Sequence, residues 1–177
     1  LRAAYSDCGS SIEWLYAVKA NYNPHILRLI AGEGFGVDAV SLEEVELAMS
    51  SGVDPKRIMY TESAMTDAEM HAAHKSGVLL NIGSISRLAR FAEAYSGSEV
   101  CIRVNPNVGS SSHATNITGG PESKFGISPS DILEAQRIAA AHEVRIVGIH
   151  CHIGSGWLSV EEPLLALDVM FAFAKDF

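Results

Sequence analysis

The chain has 177 residues, of which 47% are hydrophobic and 19% charged, with a net charge of -8. That is enough for one domain with a sizeable core and an ordinary globular composition. The acidic balance, without any Lys/Arg cluster, excludes nucleic acid and anionic membrane surfaces as partners, and no apolar run is long enough to span a bilayer.

Taken in order, short β-type runs recur at steady intervals: Leu15–Lys19, Gly36–Val40, Arg57–Tyr60, Val78–Ile82, Val100–Asn105 and Val144–His150. The first five starts lie about 21 residues apart, the rhythm of a βα repeat. Helical patterns fill the gaps. Asn23-Pro24 is a helix start with Asn as cap and Pro at the first position. Ser41-Leu42-Glu43-Glu44 and Thr66-Asp67-Ala68-Glu69 both read as capping boxes, and Ser84 as a further cap. Ser128-Pro129 opens a helix to about Ala141, with Ile132, Leu133, Ile138 and Ala139 expected on its buried face. Pro163 stands near the start of a last helix that runs through Val169 and Phe173.

Six strands alternating with helices imply a parallel sheet. A doubly wound open sheet would need no more, but no Gly-rich phosphate fingerprint follows the first strand. The expected fold is therefore an incomplete (β/α)8 TIM-type barrel, with about six of its eight strands present. Leu1-Arg2-Ala3-Ala4-Tyr5 opens without an initiator Met and Lys175-Asp176-Phe177 closes the chain, so residues 1–177 read as a single barrel domain truncated at both ends. Cys8, Cys101 and Cys151 are too scattered for a disulfide framework or a CxxC site, which fits a reducing, cytoplasmic compartment.

Tyr16-Ala17-Val18-Lys19-Ala20-Asn21 places a lysine at the carboxyl end of the first strand, where α/β barrels keep their chemistry. Apolar walls there would disfavour the ammonium and release an amine able to attack an aldehyde. A lysine that snorkels out of a strand end is the simpler alternative. In His150-Cys151-His152-Ile153-Gly154-Ser155-Gly156-Trp157, strand alternation puts the two histidines on one face, and Gly154-Ser155-Gly156 is either a phosphate-binding nest or a plain turn. His-X-His also permits a metallohydrolase, but Asp38 is the only obvious carboxylate at a strand end and no metal site is expected. Pro106–Ser128 is a long polar connection hanging over the same face as Lys19, and Lys124-Phe125-Gly126 closes it. Singly, Asp38 reads as helix-cap support, Arg103 as half of a buried ion pair, and Lys124 as a solvated loop residue. Together, Lys19, Asp38, Arg103 and His152 mark the same ends of different strands.

These stretches, with Val37-Asp38-Ala39-Val40-Ser41, Glu44, Arg103-Val104-Asn105-Pro106, His113 and Thr118-Gly119, resemble in order the diaminopimelate decarboxylase family. Its members are pyridoxal-phosphate enzymes with an alanine-racemase-like barrel. The resemblance implies that Lys19 holds pyridoxal 5'-phosphate as a Schiff base and that His152 stacks on its ring. It implies further that Ser155, with the amides beside it at Gly154, binds the phosphate and that Asp38 and Arg103 line the pocket. Lys124 would lie on a loop near substrate and the dimer interface; no role follows for His150. The implied reaction is decarboxylation of meso-diaminopimelate to lysine by a homodimer. Ornithine, arginine and carboxynorspermidine decarboxylases, and a non-catalytic pyridoxal-binding relative, are the neighbouring readings. Ser155-Gly156-Trp157 departs from the more frequent Gln-containing continuation. The family's carboxyl-terminal β-domain, catalytic cysteine and tyrosine, and acidic partner of the ring nitrogen are absent, so this stretch alone is expected neither to close a barrel nor to catalyse.

Overall fold

The computed structural model describes residues 12–108, 120 and 123–175. Leu1–Tyr5, Cys8, His113, Thr118, Gly119, Asp176 and Phe177 lie outside the described residues. Six strands are present: β1 (Leu15–Ala17), β2 (Gly36–Ala39), β3 (Ile58–Thr61), β4 (Leu79–Ile82), β5 (Glu99–Arg103) and β6 (Arg145–His150). They alternate with α1 (Pro24–Gly32), α2 (Leu42–Ser50), α3 (Asp67–Ser76), α4 (Ile85–Ala94), α5 (Ile132–Ala141) and α6 (Glu161–Ala174). All strand pairs are parallel and the sheet order is β1-β2-β3-β4-β5-β6. A doubly wound sheet reverses its order part-way, whereas this order never does, so the sheet is a section of barrel wall.

The helix starts follow local chemistry. Asn23 Oδ1 accepts from the His25 amide at 2.9 Å, and Ser84 Oγ from the Arg87 amide at 3.3 Å. Thr66 forms the full reciprocal box with Glu69. The box expected at Ser41 is displaced by one residue. Ser41 Oγ accepts from the Glu44 amide, but the Glu44 carboxylate reaches past it to the amide of Val40 at 2.9 Å. The carboxylate thereby satisfies an N–H just beyond the end of β2, tying that strand to α2.

Period-two alternation divides the sheet into two chemistries. Val37, Ala39, Ile58, Tyr60, Leu80, Ile82, Val100 and Ile102 are at most 2% exposed and pack with Leu88 and Phe91 of α4 and Ala135 of α5 in one core. The other face carries Asp38, Thr61, Asn81, Arg103 and His150 towards the carboxyl ends of the strands, in a stepped row: Asp38 stands opposite Met59, two residues before Thr61; Thr61 pairs with Asn81; Asn81 stands opposite Cys101, two residues before Arg103; and Arg103 pairs with His150. On that face Met59, Leu79 and Cys101 each precede the polar residue of their own strand by two positions, so β3, β4 and β5 pass from apolar to polar towards their carboxyl ends.

One irregularity matters to this arrangement. Val100 pairs with Ile146 but Cys101 pairs with Gly148, so Val147 is an extra residue in β6. Without that bulge Ile149 would stand opposite Arg103; with it, His150 does.

In α5 the buried residues are Ile132, Ala135 and Ala139, and Leu133 is 70% exposed, contrary to the face expected from its sequence. A 3₁₀ turn, Pro129–Asp131, precedes the helix, which begins only at Ile132. The inward stripe runs i, i+3, i+7 from Ile132, and Leu133, about 100° further round the helix, falls outside it. Phe91→Ala is expected to cost about 3–5 kcal/mol of stability and Leu133→Ala at most about 0.5 kcal/mol, read from denaturant unfolding; the opposite ranking would show the packing to be wrong.

Candidate cofactor-binding site

Lys19 does not end a strand. It occupies a 3₁₀ turn, Val18–Ala20, directly after β1. Val18, fully buried, anchors the turn, and Lys19 beside it is exposed rather than enclosed by apolar walls. The turn is pinned by the Asn21 amide donating to the Val18 carbonyl at 3.0 Å and the Tyr16 hydroxyl donating to the Asn21 carbonyl at 3.3 Å. Asn21 Oδ1 then accepts from the Asn23 amide at 3.0 Å, leading into the α1 cap. The lysine is thus an exposed side chain on a pinned base.

Charge brings the sequence-singled residues together. Asp38 feels both Lys19 and Arg103, and His150 and His152 feel both cations as well. Burial raises the Asp38 carboxyl above its ordinary range; a hydrogen bond from Thr61 and the two cations oppose it. Burial, reinforced by Arg103, His152 and Lys19, pushes His150 down to about 4, so it is neutral at physiological pH. His152 is lowered in the same way, by burial first and then by Lys19 and Arg103. A buried imidazole among cations is thereby kept available as a neutral polar group.

Arg103 is only 8% exposed, yet the ion pairs among the described residues do not include it. Its guanidinium carbon stands 4.8 Å from the centre of the Phe125 ring, and Lys124 Nζ stands 5.3 Å from the same centre. Two cations therefore share one aromatic ring. The segment that carries it is stitched to the sheet: Ile127 bridges Val104, its amide donates to the Arg103 carbonyl at 2.8 Å, and the Asn105 amide donates back to its carbonyl at 2.9 Å. Gly126, at φ 85°, allows this approach, since a Cβ there would meet the Val104 carbonyl carbon at 2.7 Å. Lys124 is thus brought to the Arg103 side of the site.

After β6, Gly154 at φ 138° and Gly156 at φ 72° flank the exposed Ser155. These are backbone conformations that glycine adopts without strain, and they turn the chain sharply at the strand end. Cys151, His152, Ile153 and Trp157 line a cavity of about 230 Å³ with Pro163, Ala166 and Leu167 of α6. Among the described residues no cluster of three or more His, Cys, Asp or Glu could hold a metal ion. Cys101 and Cys151 are free thiols, the former pushed by burial up to about 12.

Thr61 and Asn81 were not singled out in the sequence. Thr61 Oγ1 donates to Asp38 Oδ1 at 2.7 Å and accepts from Asn81 Nδ2 at 3.2 Å. The available signal was a polar residue closing an apolar run, as in Ile58-Met59-Tyr60-Thr61 and Leu79-Leu80-Asn81.

The sequence profile described as "Pyridoxal-dependent decarboxylase, pyridoxal binding domain" matches residues 2–176. The diaminopimelate decarboxylase of Methanothermobacter thermautotrophicus is 42% identical over 175 residues, covering 98% of this chain and 41% of that protein. The diaminopimelate decarboxylase of Aquifex aeolicus is 40% identical over 82% of this chain and 36% of its own length. The crystal structure of the Helicobacter pylori diaminopimelate decarboxylase complexed with L-lysine superposes with a TM-score of 0.89 at 32% identity, over 95% of this chain and 44% of that one. The Paramecium bursaria Chlorella virus arginine decarboxylase, at 20% identity and a TM-score of 0.84, covering 98% of this chain and 46% of its own, shares the fold. The chain spans about two fifths of the length of these relatives.

Two outcomes follow from this geometry. His150 in the native chain sits at about 4 against an ordinary value of 6.5. The unfolded chain therefore binds more protons between those values, and stability falls as pH drops from 6.5 towards 4. His150→Gln should flatten that slope in pH-dependent unfolding; an unchanged slope would place its origin elsewhere. Gly126→Ala should speed amide exchange at Ile127 and Asn105, measured by hydrogen-deuterium exchange, because the bridge to β5 cannot accommodate the methyl group.

Proposed function

This chain belongs to the pyridoxal-dependent decarboxylases, as their pyridoxal-binding domain, and on that premise we propose that the protein containing it converts meso-diaminopimelate to lysine with loss of CO2. The observation that carries the proposal is the 42% identity, across 98% of this chain, with an archaeal diaminopimelate decarboxylase. L-lysine, held by the similar Helicobacter pylori enzyme, is what loss of CO2 from diaminopimelate leaves.

The residues present fit the cofactor. A primary amine, an imidazole and a glycine-flanked serine lie on the loops at the carboxyl ends of β1 and β6. On the polar face, Asn81 Oδ1 and His150 Nδ1 are buried without a hydrogen-bond partner among the described residues. When bound, pyridoxal phosphate supplies an aldehyde that condenses with amines and a ring that draws off the electron pair left by the departing carboxylate.

Lys19 Nζ is the nucleophile that would hold the aldehyde carbon. Its exposed position would leave Lys19 accessible to a substrate amine beside the bound cofactor. His152 would lie against the ring, Gly154 and Ser155 would take the phosphate, and Asp38 and Arg103 would line the pocket, with the Asp38 carboxylate facing both Lys19 and Arg103. Lys124, brought to the Arg103 side through Phe125, would meet substrate or the second subunit of a homodimer. Two free thiols fit a reducing, cytoplasmic setting.

In the full-length protein loaded with pyridoxal phosphate, borohydride should abolish the long-wavelength absorbance and leave the reduced adduct on the Lys19 peptide. Lys19→Ala should lose both the adduct and the release of labelled CO2 from meso-diaminopimelate. Mapping of the adduct to a different lysine, or faster turnover of ornithine or arginine, would overturn the assignment.

A further inference from the structure

We propose that Thr61 is a positioning residue of this site, its hydroxyl aimed by the Asn81 amide so as to orient the Asp38 carboxylate and keep it ionised. The inference rests on the pyridoxal-binding reading above and extends it to two residues that touch neither Lys19 nor His152 in any contact described.

The direction of the relay follows from donor and acceptor chemistry. An ionised carboxylate only accepts, and a hydroxyl has a single proton. With Thr61 Oγ1 at 2.7 Å from Asp38 Oδ1, that proton goes to the carboxylate. The hydroxyl oxygen is left to accept, and Asn81 presents its NH2 group to it at 3.2 Å. Asn81, at 0% exposure, and Thr61, at 5%, lie where bulk water cannot take over either role. The three residues stand on β2, β3 and β4: Thr61 pairs directly with Asn81 and lies two residues beyond Met59, the partner of Asp38, so its hydroxyl reaches Asp38 diagonally. The charged groups facing Asp38 are Lys19 from the turn after β1 and Arg103 from β5. Burial opposes its ionisation, and the Thr61 hydrogen bond is the strongest single influence in favour of it. Without the hydroxyl, the carboxylate would turn more freely and protonate more readily. As pH falls, the negative charge facing Lys19 and Arg103 would then be lost at a higher pH.

The test uses the full-length protein, with and without pyridoxal phosphate. In the cofactor-free protein, 13C carboxyl resonances, with Asp38 assigned through Asp38→Asn, should show Asp38 titrating at higher pH in Thr61→Val than in the parent, and Thr61→Ser should restore the parent midpoint. In the loaded protein, the pH profile of the bound chromophore should shift in Thr61→Val and return in Thr61→Ser, while both keep borohydride trapping on Lys19. Should Thr61→Val fail to fold, Asn81→Ala removes the donor that aims the hydroxyl and should shift Asp38 in the same direction by less. Unshifted Asp38 and chromophore profiles in either folded variant, with normal trapping on Lys19, overturn the positioning role and leave the cofactor reading intact. A parent protein that shows no trapping on Lys19 overturns the cofactor reading itself, and the positioning role with it, even where the Asp38 shift in the cofactor-free protein bears out the relay.

Discussion

Alternation of side chains along a strand is the constraint on which this structure depends. In a parallel wall with helices on one side, residues of one parity must be apolar to bury against those helices. The opposite parity is released from that demand near the strand ends. Here it carries Asp38, Thr61, Asn81, Arg103 and His150, in a row that steps two residues towards the strand ends between β2 and β3 and again between β4 and β5. The extra residue at Val147 completes the row, because a single-residue slip exchanges which face a side chain occupies. A β-bulge at the edge of the sheet thus decides that an imidazole, rather than an isoleucine, stands opposite the buried guanidinium.

Much of this was legible before any coordinates. The spacing of apolar runs identified all six strands to within one or two residues at most ends, and the caps at Asn23, Thr66 and Ser84 marked helix starts correctly. Lys19, Asp38, Arg103 and His152 were visible because chemically capable residues ended apolar runs. Less visible was anything that depends on pairing between strands. The bulge has no local signature in Arg145-Ile146-Val147-Gly148, and Thr61 and Asn81 gain meaning only when β3 and β4 lie beside β2. The enclosure expected around Lys19 did not appear, because the residue lies two positions beyond the last residue of β1, in an exposed 3₁₀ turn. Leu133 was misplaced because it follows Ile132 directly, a quarter-turn or more round the helix from the stripe through Ile132, Ala135 and Ala139.

The electrostatics of the site are those of an arrangement dominated by cations. Lys19 and Arg103 act on the same neighbours, and Asp38 is the carboxylate that feels both. Burial first, and these cations after it, disfavour protonation of His150 and His152, which would add a third positive charge to a half-buried region. Phe125 adds to the part played by Asp38 and Glu62, since its ring receives Arg103 from the sheet and Lys124 from the returning loop. An aromatic face satisfies two cations without the desolvation that a second buried anion would incur.

The order of the strands has a further consequence. β1 and β6 stand at the two margins of the sheet, and neither has a second strand partner among the described residues. Each margin therefore offers a row of backbone donors and acceptors, with Val147 on the β6 side 45% exposed beside them. Such margins are templates for strand addition. Produced without further polypeptide to cover them, this segment would be drawn to self-association in solution, and that tendency, rather than any weakness of its core, would limit its handling as an isolated unit.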